Sequence, residues 1–147
     1  MPSYRRVDAL LGAVWLYAED VPRAVAFYRD VLGLPMVDDA HGEVGHFDPG
    51  NVRLSIHPAR AGQRIGSGGF YVFIVDDIEN EVERLSARGV EFIGGIRAES
   101  FGRVAEFRDP DGHELSLWQI PREGERAYEH IRPLAEHYAR LRTAVRG

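Results

Sequence analysis

The sequence predicts an α+β fold, a single domain over residues 1–147 with two tandem βαβββ modules and a C-terminal helical extension. Three observations predict it. An apolar strand, a helical pattern and several short strands occur twice in the same order; a segment rich in Gly and Ser separates the copies; and another helical pattern follows the second copy. The expected boundaries are 9–58 for module one, 59–69 for the linker, 70–120 for module two and 121–147 for the helical tail.

In each copy, an apolar run leads through an acidic pair into a helical pattern. Asp20 and Asp77 are placed to cap the two helices, because a carboxylate accepts hydrogen bonds from the free N–H groups of a first helical turn. Gly33 and Gly89 are placed to end them, since glycine readily adopts the left-handed conformation that follows a helix. The repeat therefore predicts both ends of both helices.

The strands that follow each helix also match between the copies. A short strand is expected at 35–38 and again at 90–93, and a hairpin follows with its turn at 48–51 or at 109–112. Beyond the turns, the sequence Leu54-Ser55-Ile56 in module one corresponds to Leu115-Ser116-Leu117 in module two. A two-residue turn at Pro49-Gly50 would place His46 opposite Arg53. The sequence does not determine which face of the sheet Phe107 is on.

Strand alternation separates two faces of the predicted sheet. One face is aliphatic or aromatic and suits packing against helices; it contains Val14, Leu16, Leu54, Ile56, Phe73, Val75, Leu115 and Leu117. The opposite face mixes aromatic, polar and charged residues; it contains Ala13, Trp15, Tyr17, Arg53, Ser55, His57, Phe70, Val72, Glu114, Ser116 and Trp118. The mixed face is therefore the candidate binding surface, and His46 is expected to join it.

Composition excludes several classes of partner. The formal net charge of −5 gives no electrostatic support for nucleic acid or anionic membranes. No apolar run approaches the roughly 20 residues of a membrane-spanning helix. Cysteine is absent, which excludes disulfides and thiol chemistry. We expect a cytoplasmic protein.

Several motifs resemble the vicinal oxygen chelate superfamily, which includes glyoxalases, bleomycin-resistance proteins and extradiol dioxygenases. The motifs are Asp20-Val21-Pro22, Ala26-Phe27-Tyr28-Arg29-Asp30-Val31-Leu32-Gly33-Leu34, Val75-Asp76-Asp77-Ile78, Ala87-Arg88-Gly89-Val90 and Phe107-Arg108-Asp109-Pro110-Asp111-Gly112-His113-Glu114-Leu115. The resemblance implies that the modules form a curved mixed sheet whose concave side holds a small organic ligand. Fold alone does not decide between activities.

The resemblance also implies four positions for divalent-metal ligands, on the first and last strands of each module. Here Ala13, Ser55, Phe70 and Ser116 occupy them, and none offers the imidazole or carboxylate that such metals need. We therefore expect no metal and no other cofactor. A shifted metal site of His46, His57 and Glu114 remains an alternative.

The expected function is metal-independent binding of a small aromatic molecule, such as a natural product or antibiotic, most similar to the bleomycin-resistance branch. That resemblance also implies a homodimer. The residues expected to bind the ligand are Trp15, Tyr17, His46, Arg53, Ser55, His57, Phe70, Arg103, Glu114, Ser116 and Trp118.

Two alternatives stay open. One is a metal-free isomerase, cyclase or hydrolase that uses His57 or Glu114 as acid or base. The other is a metal-dependent lyase or dioxygenase.

The tail carries an apolar stripe of Tyr128, Ile131, Ala135, Tyr138, Leu141 and Val145, with a kink expected at Pro133. This stripe is expected to pack on the sheet, on a partner chain or over the pocket mouth.

Overall fold

The computed structural model describes residues 13–38, 43–48, 50, 52–59, 61–62, 64–66 and 70–146, without the side chains of 38 and 142–146. The expected start of module one, parts of the first hairpin turn and of the linker, and the side chain of Val145 therefore lie outside the described residues. No helix in the described ranges is long and apolar enough to cross a membrane.

Each module forms its own four-stranded mixed sheet. In module one, the strands β1 (Ala13–Ala18), β2 (Met36–Asp38), β3 (Gly45–Phe47) and β4 (Arg53–Pro58) have the order β1-β4-β3-β2. In module two, β5 (Phe70–Val75), β6 (Phe92–Glu99), β7 (Gly102–Arg108) and β8 (Glu114–Gln119) repeat it as β5-β8-β7-β6. The first and last strands of each module are parallel, and the other pairs are antiparallel. The predicted α+β fold with tandem βαβββ modules is confirmed, and its strands lie in two sheets of identical topology.

The two module helices begin at the predicted caps. Asp20 accepts a hydrogen bond from the Arg23 N–H at the start of α1 (Val21–Ala26). Asp77 accepts one from the Asn80 N–H at the start of α2 (Ile78–Ala87). The first helix continues as a π-helical turn over Phe27–Val31, where the Leu32 N–H donates to the Phe27 carbonyl. Sequence periodicity did not predict this wider turn.

The helices of the two modules meet in one shared core. Arg84 on α2 donates to the carbonyls of Val31 and Leu32 at the end of the first helix, and Arg88 donates to the carbonyls of Asp30 and Val31. These guanidinium groups satisfy carbonyls that a helix end leaves without partners. Because each helix packs on one face of the strands of its own module, the opposite face of each sheet points away from this core.

Register details differ from the sequence-based expectation at two strands. His46 lies opposite Ser55, whereas the two-residue turn predicted Arg53 as its partner. The connection runs from residue 48 to 52, too long for that turn, and the shift of two residues keeps His46 on the expected face. β6 extends to Glu99, beyond the expected end at 93. Phe107, whose face the sequence did not determine, is fully buried opposite Leu115 on the helix side.

The tail forms α3 (Arg126–Arg146), and its expected kink is present. Ile131 has non-helical dihedral angles (φ −125°, ψ 23°) two residues before Pro133. Ala135 beyond the kink is buried, whereas Leu134 beside it is 42% exposed. α3 therefore packs through one face onto module two.

Candidate functional site

The candidate site consists of the two sheet faces that point away from the helices, which we call the outer faces. On module one, the outer face carries Ala13, Trp15, Tyr17, His46, Arg53, Ser55 and His57. On module two, it carries Phe70, Val72, Ile74, Val104, Glu106, Arg108, Glu114, Ser116 and Trp118. Trp15, Phe70 and Val72 are 48%, 49% and 47% exposed, which is high for large apolar side chains in strands.

An aromatic and polar cluster lies at the centre of the module-one outer face. The Trp15 indole stacks on the His57 imidazole with ring centroids 3.9 Å apart and an angle of 21° between the planes. His46 Nδ1 lies 2.8 Å from the Ser55 hydroxyl oxygen, and the His46 and His57 rings are 6.1 Å apart. Tyr17 approaches His57 at 6.4 Å. The cluster offers a flat aromatic surface beside groups that donate and accept hydrogen bonds.

Parallel pairing of the first and last strands builds this cluster. In the β1–β4 register, Trp15 lies beside Ser55 and Tyr17 beside His57. Alternation along both strands points these side chains to one face, while Leu16 and Ile56 point into the core. Alternation therefore predicted that Trp15, Ser55 and His57 share the candidate face, and the β1–β4 register is what brings them into contact.

Other predicted ligand residues are less closely grouped. Arg53 is exposed at the start of β4, and Glu114 is exposed at the start of β8 opposite Phe70. His57 and Glu114, the candidate acid and base, lie in different sheets. Arg103 is on the helix side, where its guanidinium donates to Glu79 at 2.8 Å. The structure therefore does not bring Arg103 to the outer face.

The four positions that the resemblance assigns to metal ligands do not fit a divalent metal. Ser55 is fully buried and hydrogen-bonded to His46, and the Ser116 hydroxyl donates to the Leu117 carbonyl at 3.1 Å. Ala13 and Phe70 have no ligand atom in their side chains. This donor set is unsuited to the metal chemistry of lyases and dioxygenases.

A buried cluster of Asp109, Asp111 and His113 brings metal-type ligand atoms within 4.8 Å of one another. However, Asp109 accepts from the Tyr28 hydroxyl (2.8 Å) and is 2.7 Å from His113 Nδ1, and its other oxygen accepts two backbone N–H groups. Asp111 is paired with Arg23 at 3.1 Å. The Asp109 carboxylate is paired through both oxygens, whereas Oδ2 of Asp111 is buried and has no hydrogen-bond partner among the described residues. Because Tyr28 and Arg23 of module one pair with Asp109 and Asp111 of module two, the cluster links the two modules, and we call it the polar latch.

Burial and hydrogen bonding shift two pKa values in this latch in opposite senses. Burial acts to raise the pKa of Asp109, but hydrogen bonds from His113 and Tyr28 outweigh it and hold the pKa below its usual range. Burial, reinforced by the Asp109 charge, raises the pKa of Tyr28 well above its usual value. The latch is therefore a neutral phenol bound to a charged carboxylate.

The fold and sequence are similar to those of known proteins. The sequence model of the Glyoxalase/Bleomycin resistance protein/Dioxygenase superfamily matches residues 9–117. The chain belongs to this superfamily. The match confirms the resemblance that the sequence motifs indicated. As its name states, the superfamily includes proteins with several different activities.

Proteins similar to this chain include an uncharacterized protein, an antibiotic binding protein and a lyase. YetH of Bacillus subtilis (strain 168), an uncharacterized protein, is 27% identical over 116 residues, 73% of this chain and 95% of YetH. TnmS3, an antibiotic binding protein from Streptomyces sp. CB03234, superposes with a TM-score of 0.70 at 24% identity, covering 80% of this chain and all of TnmS3. A lactoylglutathione lyase from Agrobacterium tumefaciens superposes with a TM-score of 0.62 at 26% identity, covering 78% and 96%.

Sequence reasoning missed one aromatic residue at the site. Tyr138 on α3 lies over Trp118, with ring centroids 5.5 Å apart and an angle of 83°. Trp118 is consequently only 8% exposed, although it lies on the outer face. The apolar stripe of the tail included Tyr138 but gave no indication of what it contacts.

Proposed function

We propose that the protein binds a small, planar aromatic molecule, such as a natural product or antibiotic, without a metal ion and without changing it. The proposal is carried by the Trp15–His57 pair, two nearly parallel rings at 3.9 Å whose indole is 48% exposed. An indole that is stacked on one neighbour and about half exposed offers a stacking surface to a ligand, and such contacts contribute about 0.5–1.5 kcal/mol beyond burial. The proposal includes the cytoplasmic location expected from the sequence.

The donor set favours binding over the metal chemistry of the superfamily. Antibiotic binding in TnmS3 and catalysis in the lactoylglutathione lyase share this fold, so the fold does not decide between them. The residues support binding, because the metal positions hold Ala13, Ser55, Phe70 and Ser116. His46 and Ser55, already hydrogen-bonded to each other, are suited to orienting polar groups of a stacked ligand.

The proposal includes a homodimer in which a second copy covers the outer faces. Trp15, Phe70 and Val72 leave apolar surface open in one chain. β1 and β5 are edge strands, and neither has a strand partner on its free side within the described ranges. A second copy placed against these faces would turn open sheets into enclosed pockets. Sedimentation velocity should give a dimer; a monomer at ligand-binding concentrations would contradict this part.

The test is a tryptophan-fluorescence titration against a panel of aromatic antibiotics and metabolites. The chain has two tryptophans, so Trp118→Phe leaves Trp15 as the only reporter. We expect quenching of Trp15 by a bound compound, and recovery of that compound with unchanged mass and chromatographic retention. Measured by calorimetry, because the substitution removes the fluorescent reporter, Trp15→Ala should weaken binding about tenfold, and Leu134→Ala on the exposed side of α3 should not. A bound compound recovered with a new mass or as a new isomer would identify an enzyme instead, with His57 and Glu114 as the groups to test.

A further inference from the structure

The two modules cover equivalent outer-face positions in different ways. His57 follows Leu54-Ser55-Ile56, and Trp118 follows the matching Leu115-Ser116-Leu117, so the two residues are equivalent in the repeat. In module one, Trp15 of the first strand stacks on His57. In module two, the residue equivalent to Trp15 is Val72, which is paired with Ser116 just as Trp15 is with Ser55. Valine has no ring to stack, and Tyr138 of α3 approaches Trp118 instead.

Two contacts from the β6–β7 hairpin fix the Trp118 ring. The indole N–H donates to the Phe101 carbonyl at 2.9 Å, and the Phe101 ring lies 6.0 Å away at 74°. Gly102 lies so close that a Cβ there would be 2.6 Å from Trp118 Nε1. The indole is therefore held in one orientation, with Tyr138 against it.

A groove of about 650 Å³ runs along β5, from this aromatic pair to Val14, Leu32, Leu34 and Leu54 of module one. Its lining includes Trp118, Ile74 and Val72 from the sheet and Tyr138 and Leu141 from α3. The volume is within the roughly 300–1,000 Å³ typical of small-molecule sites. α3 lies outside the repeated modules, so the tail of this chain supplies one wall of the groove.

Charge in the groove indicates the class of molecule that it takes. Glu81 and Arg84 are the only charged residues that line its described part, and they form an ion pair with a nitrogen–oxygen distance of 2.7 Å. The Arg84 guanidinium also donates to two helix-end carbonyls. A charged occupant would lose its hydration without gaining a counter-ion, so an uncharged one is favoured. All of β5 lines the groove, and the backbone groups on its free edge can bond carbonyl or hydroxyl substituents.

We propose that Tyr138, Leu141 and Trp118 form a subsite for an uncharged, planar aromatic group with carbonyl or hydroxyl substituents, in which Tyr138 is a specificity-determining wall. The inference rests on the proposed function and adds to it the ligand class and the role of α3. The break at Ile131 lies between the first turns of α3 and the part that carries Tyr138, whose ring contacts Trp118 of module two.

The test uses two dyes that share an anilinonaphthalene ring system: uncharged N-phenylnaphthylamine and the anionic anilinonaphthalene sulfonate. The full-length Trp15→Phe protein leaves Trp118 as the only tryptophan, and energy transfer to the dye reports binding beside it. We expect the uncharged dye to bind at least tenfold more tightly than the sulfonate. Adding Tyr138→Ala should raise its Kd about tenfold, and Tyr138→Phe should change it less than twofold. Tyr128→Ala, on the same helix outside the groove, is the matched control and should also change it less than twofold.

An unchanged or lower Kd in Tyr138→Ala, or equal binding of the two dyes, would overturn the subsite. Loss of the Trp118 signal as the protein dimerises would also overturn it, because a second copy would then fill the groove. The Trp118→Phe protein separates the two proposals. Energy transfer from Trp15 without transfer from Trp118 would leave the proposed function standing and remove the subsite. If the dye binds beside Trp118 but no compound of the aromatic panel quenches either tryptophan, the subsite stands and the proposed function is overturned. Circular dichroism of each variant checks that it is folded.

Discussion

Removing the Tyr28 hydroxyl tests the latch that joins the two modules. The fully buried Tyr28 donates to Asp109, which is itself 6% exposed, at 2.8 Å. A hydrogen bond to a charged acceptor is worth about 1.5–3 kcal/mol. Asp109 keeps its contact with His113 and two backbone donors in Tyr28→Phe, so its carboxylate is not left without partners. We therefore expect a loss of about 2 kcal/mol, or about 6 °C in Tm for a chain of this length.

The loss should depend on pH in a direction set by the two shifted pKa values. The hydrogen bonds that lower the pKa of Asp109 in the fold stabilise it fully above about pH 4, the unfolded value, and less as pH falls through the lowered folded value. The fold also raises the pKa of Tyr28. The stability linked to this shift is fully present below about pH 10, the unfolded value, and is lost at higher pH. The difference in free energy of unfolding between wild type and Tyr28→Phe should therefore be largest, and roughly constant, between about pH 5 and about pH 9.

Urea unfolding followed by circular dichroism, from pH 3 to 8, measures this difference. Tyr71→Phe is the matched control, because no hydrogen bond of the Tyr71 hydroxyl is found in the described part of the chain, and it should cost less than about 0.5 kcal/mol. A Tyr28→Phe cost below about 0.5 kcal/mol at neutral pH, or one that stays constant down to pH 3, would refute the reasoning.

Two further substitutions test local features of the fold. Asp77→Ala removes the side-chain acceptor at the start of α2 and should cost about 1 kcal/mol in urea unfolding, whereas Glu83→Ala on the exposed side of α2 should cost little. Equal costs would contradict the capping role. Gly102→Ala should cost about 3 kcal/mol and shift Trp118 emission, because φ is +135° and a Cβ would lie 2.5 Å from the Gln119 carbonyl oxygen. Gly95→Ala has open space around the new Cβ and should be nearly neutral; similar losses at both glycines would contradict this explanation.

Features that depend on local sequence were predictable. Asp20 and Asp77 cap their helices as expected, since a cap needs only a carboxylate a few residues from free N–H groups. Gly33 and Gly89 follow the helices with φ of 83° and 93°. Strand alternation likewise predicted the faces of Trp15 and the other strand residues of the outer faces, because its period of two leaves no other choice once a strand is assigned.

Features that depend on distant contacts or on loop length were not predictable. The partner of His46 follows from the length of the hairpin connection, and the sequence does not fix how many residues that connection takes. The contact of Tyr138 with Trp118 joins a tail helix to a strand, and periodicity shows only that Tyr138 belongs to an apolar stripe. Arg103 lies on the helix side because of its register in β7, and the sequence does not fix the residue at which that strand begins.

Ligand titration of chelator-treated protein tests metal-independent binding most directly. Protein dialysed against EDTA is titrated by calorimetry with the compound that quenches Trp15, then again after addition of zinc, nickel, manganese or ferrous iron. The positions held by Ala13, Ser55, Phe70 and Ser116 offer no imidazole or carboxylate, so we expect the same Kd in every titration and a ligand recovered unchanged. Binding that appears only after metal is added, or a ligand that is chemically altered in the metal-loaded protein, would contradict this account.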